Sequence, residues 1–271
     1  VAMSDVTGFQ GTILLINGRQ SSCESVLVDS QAGFVAASCL SGARNGTFEG
    51  PPVYEIITKQ SSDMPTMRYR IEKVTTHPKY NPSTYVNNLA VIQFNSAGSA
   101  NWLNYIGINP GEWSDNYFIR RTLSSVSQMQ WNNIVGFSST ETPSYCEQAS
   151  RAYSANKGDF LCNYAGVLSI TNHQCKVPYG TVFAPIQPSD LTTVAIHSHS
   201  AVYGDTMCSS ARKLHYYTVL RNYIGWAASV LGRPVGGFAK DGNFKFTPQR
   251  DYSMKSVSTD PISGVQMFSG N

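Results

Sequence analysis

Short apolar runs of strand length, each closed by a strong turn signal, set the limits on this chain. Thr12-Ile13-Leu14-Leu15-Ile16, Ser25-Val26-Leu27-Val28, Gly33-Phe34-Val35-Ala36-Ala37 and Val53-Tyr54-Glu55-Ile56-Ile57-Thr58 are rich in β-branched and aromatic residues. Arg68-Tyr69-Arg70-Ile71-Glu72-Lys73-Val74 alternates as a half-buried strand does, and Leu89-Ala90-Val91-Ile92 reads as a more deeply buried one. Asn45-Gly46, Pro51-Pro52 and Asn81-Pro82 punctuate the series. Many short strands at this spacing predict an all-β sandwich or barrel rather than a helical or α/β fold.

Residues 95–118 are Ser, Asn, Gly and Pro rich and read as a connector. A second set of β runs follows at Ile134–Phe137, Gly166–Ile170, Thr181–Ala184 and Thr193–Ile196. One helix is expected, starting near Thr218. Val219, Leu220, Tyr223, Ile224, Trp226, Ala227, Val230 and Leu231 form its apolar stripe, and Gly232 with Pro234 stops it. The expected organisation is residues 1–108, residues 109–231 and a C-terminal extension, 232–271, laid on the globule or on a neighbouring chain.

With 271 residues, 41% of them hydrophobic, a large core is within reach. A net charge of +3, with no basic run beyond Arg120-Arg121, gives no nucleic-acid footprint. No apolar run approaches the roughly 18 residues of a membrane span. A processed secreted chain would have lost its signal peptide. Cys23, Cys39, Cys146, Cys162, Cys175 and Cys208 contain no C-x-x-C pair. Their even number and wide separation favour disulfides in an oxidising compartment, with 15 pairings open. Asn45-Gly46-Thr47 is a glycosylation sequon or an unused tripeptide.

Six segments, in order over about residues 10–231, resemble the trypsin-like (chymotrypsin-fold) serine proteases. Val35-Ala36-Ala37-Ser38-Cys39 is similar to Ala-Ala-His-Cys, and Thr76-His77-Pro78-Lys79-Tyr80-Asn81 to a His-Pro-x-Tyr-Asn loop. Asn87-Asn88-Leu89-Ala90-Val91-Ile92 is similar to Asn-Asp-Ile-Ala-Leu-Leu, and Ile134–Phe137 to a Thr-Gly-Trp-Gly segment. Cys175–Val182 resembles Cys-Gln-Gly-Asp-Ser-Gly-Gly-Pro. Tyr216-Tyr217-Thr218-Val219 through Trp226 resembles the family's approach to its C-terminal helix. The resemblance implies two packed six-stranded antiparallel β-barrels, a C-terminal α-helix, and the pairings Cys23–Cys39, Cys146–Cys162 and Cys175–Cys208. It implies a secreted protein and no cofactor.

At the matched positions the chemistry differs. A hydroxyl nucleophile, an imidazole base and an orienting carboxylate are required. Here Ser38 stands for the base, Asn88 for the carboxylate and Tyr179 for the nucleophile. Val177-Pro178-Tyr179 replaces the oxyanion turn, and Pro178 replaces the aspartate that receives a processed N-terminus. The resemblance therefore implies a catalytically inactive homologue that binds an extracellular protein or surface ligand as a regulator, adhesion molecule or decoy. Its former specificity pocket maps to His173, His197, His199 and His215. These either fill a redundant cavity or, with His197 and His199 pointing the same way along a strand, hold a divalent metal. Two other readings stay open. One is a rearranged hydrolase, for example Ser209 or Ser210 with His197 or His199. The other is a structural protein whose tail drives assembly.

Overall fold

Alternation and turn placement close the N-terminal half into a barrel. In the computed structural model, β1 (Gln10–Leu15), β2 (Ser22–Leu27), β3 (Ala32–Val35), β4 (Tyr54–Thr58), β5 (Met67–Thr76) and β6 (Ala90–Phe94) run antiparallel in the order β1-β2-β3-β6-β5-β4 and back to β1. The structure describes residues 10–15, 22–29, 31–42, 52–58, 65–96, 105–106, 117–125, 130–137, 144–156, 158–164, 182–183, 192–193, 195–203, 213–238 and 265–268. Ile13, Leu27, Val35, Ile56, Ala90 and Ile92 fill the barrel. Gly33 lies under β2, where a Cβ would meet the Val26 carbonyl oxygen at 2.7 Å. On β5 only Ile71 is buried, so its alternation overstates how much of it faces the core.

The second half forms a seven-stranded sheet. Its strands are β8 (Tyr117–Ser125), β9 (Gln130–Phe137), β10 (Phe160–Tyr164), β11 (Val182–Phe183), β13 (Ala195–Tyr203), β14 (Lys213–Val219) and β15 (Val265–Phe268). Six follow the order β10-β14-β13-β11-β8-β9, and β15 pairs with β13 beside that path. β7 (Tyr105–Ile106) and β12 (Thr192–Thr193) pair in parallel. Residues 95–118 are thus not all connector, since β7 and the start of β8 lie within them. The expected run at 166–170 lies outside the described residues.

The expected helix is real but starts later. Thr218 and Val219 complete β14, a 3₁₀ turn covers Leu220–Tyr223, and α4 (Ile224–Leu231) follows. Gly232 caps it at φ 63°, the left-handed conformation that glycine adopts cheaply. Three short helices were not anticipated: α1 (Ala37–Gly42), α2 (Ser144–Ala149) and α3 (Arg151–Ala155). Five or six residues are too few to show a helical period.

One apolar cluster joins the two halves. Val26, Phe34, Leu89 and Val91 of the barrel pack with Ile196, Leu220, Tyr223, Ile224 and Ala227. Phe238, in the C-terminal extension, is buried in the same cluster. Disulfides join Cys23 to Cys39 and Cys146 to Cys162. Cys175 and Cys208 lie outside the described residues. Among the described residues no helix is long and apolar enough to cross a membrane.

Candidate functional site

The chain between β5 and β6 is wound by its own polar side chains. Asn81 Oδ1 accepts from the Ser83 N–H at 2.9 Å, and the Tyr85 N–H donates to the Asn81 carbonyl at 2.8 Å. The Asn87 amide donates to the Lys79 carbonyl at 3.1 Å, and the Tyr223 hydroxyl donates to Asn87 Oδ1 at 3.1 Å. Two non-glycine residues are held in the left-handed region, Tyr85 at φ 62° and Asn87 at φ 56°. Such strain persists only where the surroundings over-determine it. Here the turn and its anchor on Tyr223 bring Asn88 to the junction of the two halves. His77 serves the same loop. Its Nδ1 accepts from the Lys79 N–H at 3.1 Å, and its ring lies 4.8 Å from Trp226 and 5.6 Å from Tyr223.

Asn88 is fully buried and uses both ends of its amide. Oδ1 accepts from the Ser38 N–H at 2.8 Å. Nδ2 donates to Ser38 Oγ at 2.9 Å and to Ser198 Oγ at 3.0 Å, with a longer contact of 3.4 Å to the Ser198 carbonyl. Ser38 comes from the first turn of α1, beside the Cys23–Cys39 bridge. Ser198 comes from β13. Two of the three positions singled out for missing chemistry thus touch each other. The third, Tyr179, lies outside the described residues, as do Pro178, His173, Asn45, Ser209 and Ser210.

Ser198 was not anticipated. It sits at a bulge in β13, where the register against β14 slips between His197 and His199. Its Oγ lies 3.0 Å from His199 Nδ1. That oxygen keeps a proton and a second lone pair besides the bond from Asn88, so the His199 tautomer sets which of the two donates. Nε2 is buried with no hydrogen-bond partner among the described residues. The imidazole is stacked between Tyr216 (ring centroids 4.6 Å apart) and Tyr85 (4.8 Å), with the Phe160 edge 5.4 Å away. Burial holds its pKa at about 3, far below the ordinary 6.5. Burial likewise pushes the Tyr216 phenol up, with Tyr153 adding to it.

The bulge corrects the geometry assumed for the histidines. Neighbouring residues on a strand face opposite ways, and His199 stacks on Tyr216 whereas His197 lies edge-on to Tyr217 at 5.5 Å. His215 joins His197, with rings 5.9 Å apart. His197 and His215 therefore share one face of β14 and His199 occupies the other, so the two strand imidazoles do not point the same way. Among the described residues no group of three or more His, Cys, Asp or Glu is arranged to hold a metal.

Ser198 and His199 form a hydroxyl–imidazole pair, the minimal arrangement for nucleophilic catalysis. Both are completely buried. A base held near pKa 3 takes a proton weakly at neutral pH. The arrangement is suited to joining the barrel to the second sheet.

No family model matches the sequence, and no curated protein matches it. Among solved structures, HL collagenase is similar with a TM-score of 0.57 and 12% identity, over 85% of this chain and 96% of that one. Likeness at that identity speaks to fold alone: a trypsin-like architecture with one closed six-stranded barrel.

Proposed function

We propose that the chain is a secreted, non-catalytic member of the trypsin-like serine protease group that works by binding another protein. The observation that carries this reading is the mutual locking of Ser38 and Asn88. The positions of base and orienting carboxylate are filled by a hydroxyl and an amide, paired at 2.8 and 2.9 Å. Neither group takes up a proton near neutral pH. The imidazole that Ser198 contacts, His199, is walled off by aromatic rings on both faces. Tyr179 at the nucleophile position adds the same argument from sequence. The two disulfides favour an oxidising compartment, and with it secretion and use of the Asn45 sequon.

A serine-reactive fluorophosphonate probe tests the catalytic half of the proposal. The native chain is expected to remain unlabelled, and stoichiometric labelling overturns it. Affinity capture from the extracellular fluid that contains the protein tests the binding half. A partner retained at stoichiometric level is expected. Failure to retain any protein overturns that half.

A further inference from the structure

β13 has two edges. β14 takes one along nearly its whole length, from Ala195↔Val219 to Val202↔Lys213. The other edge is shared. β11 covers Ala195 and Ile196, while β15 covers Ser200 to Tyr203. The pairs there are Ser200↔Phe268, Ala201↔Met267, Val202↔Gln266 and Tyr203↔Val265. The covering strand comes from the far end of the chain, and 26 residues, 239–264, separate it from Phe238 in the core.

An open edge presents a row of backbone donors and acceptors that an extended peptide can join. Proteins normally blunt such an edge with a bulge, a charge or a cover. On β13 the bulge lies at 197–199, short of the open stretch, and Ser200-Ala201-Val202-Tyr203 carries no charge and no proline. The cover is a separate strand, Val-Gln-Met-Phe, held by four residue pairs.

We infer that the Ser200–Tyr203 edge of β13 is a strand-addition site for an extended, uncharged peptide segment of a partner protein, and that Val265–Phe268 is its tethered occupant. This rests on the protein-binding reading above and gives it a location. The occupant defines the ligand chemistry. It is antiparallel to β13, four residues suffice, and the segment is apolar apart from one amide side chain. A tethered competitor acts at an effective concentration on the order of millimolar. A partner must therefore out-compete the chain's own strand, or bind when that strand is displaced.

The test uses the full chain and a fluorescein-labelled peptide with the sequence of residues 261–271, read by anisotropy. Wild type is compared with a Gln266→Pro, Met267→Pro double variant, in which β15 loses two backbone donors. The variant is expected to bind the peptide at least about tenfold more tightly than wild type, and a peptide carrying the same two prolines is expected not to bind. Equal affinity for both proteins, or no binding to the variant, overturns the inference. Hydrogen exchange on wild type gives a readout independent of the variant's folding. Saturating peptide should speed exchange in 265–268 and leave 200–203 protected, and unchanged exchange in 265–268 overturns the inference. A chain that captures a partner but ignores the peptide refutes this location alone. A chain that takes the peptide but retains no partner refutes the binding reading.

Discussion

Acid should loosen this molecule through one buried imidazole. His199 has a folded-state pKa of about 3 against 6.5 when exposed. The depressed value comes from burial, because a charged ring between Tyr85 and Tyr216 would have no water around it. Below pH 6.5 the unfolded chain takes up a proton at this site and the folded chain does not, until the pH nears 3. Stability tied to His199 is therefore complete above about pH 7 and is lost as the pH falls from 6.5 towards 3. Between pH 7.5 and 4.5 the loss is about 2–3 kcal/mol, and about 5 kcal/mol over the whole window. A His199→Phe variant keeps an aromatic ring in the stack and removes the titration. Guanidinium denaturation followed by tryptophan fluorescence at pH 7.5 and 4.5 measures both proteins. Wild type is expected to lose about 2–3 kcal/mol more than the variant over that interval. Equal losses would show that His199 is not buried neutral, and would refute the reasoning. His77, His197 and His215, also buried, are common to both proteins and cancel in the difference.

Three further substitutions test the packing. Asn88→Ala removes the acceptor of the Ser38 N–H and the donor to the Ser38 and Ser198 hydroxyls and should cost about 2–4 kcal/mol in urea denaturation; a cost under about 0.5 kcal/mol would deny the amide its bridging role. Gly33→Ala forces a methyl against the Val26 carbonyl 2.7 Å away, so β2 or β3 must shift, at about 1–3 kcal/mol; an unchanged melting temperature would show that the strands part freely. Gly232→Ala meets nothing within 4 Å and acts only through the left-handed backbone. It should destabilise by about 1–2 kcal/mol, a smaller effect than a steric clash of backbone would give, and a stabilised variant would contradict the cap.

The barrel was legible because its strands carry both the alternation and the turn chemistry that closure needs. Ser25–Val28 and Gly33–Ala37 read as strands and are β2 and β3 to within a few residues, although Ala37 already belongs to α1. The second sheet was harder. Phe160–Tyr164 is only five residues with Cys and Asn inside it, and β11 is two residues long. Tyr216–Val219 lies next to a helical stripe, so the sequence period carried the helix too far back; β-branched and aromatic residues paired to β10 and β13 decide it for strand. At the site, Ser38 and Asn88 were visible through the motifs that flank them. Ser198 was not, because a bulge breaks the period-2 rule that assigns faces. Tyr85 carries no sequence signal for its φ of 62°, which a bulky residue adopts only under tertiary constraint.

The amide of Asn88 also sets the polarity of its surroundings. It accepts with one end and donates with the other, and its neighbours have settled around that polarity. A carboxylate there would still accept from the Ser38 N–H. It would have no hydrogen for Ser198, would face the Ser198 carbonyl at short range, and would bring a charge into a site with no exposure. Ser198 would have to turn its proton to the carboxylate, and His199 Nδ1 would then have to be the donor across the 3.0 Å contact. Asn88→Asp therefore begins with a loss of stability. The hydrogen bonds that hold the two halves together also fix which side chain this buried position accepts.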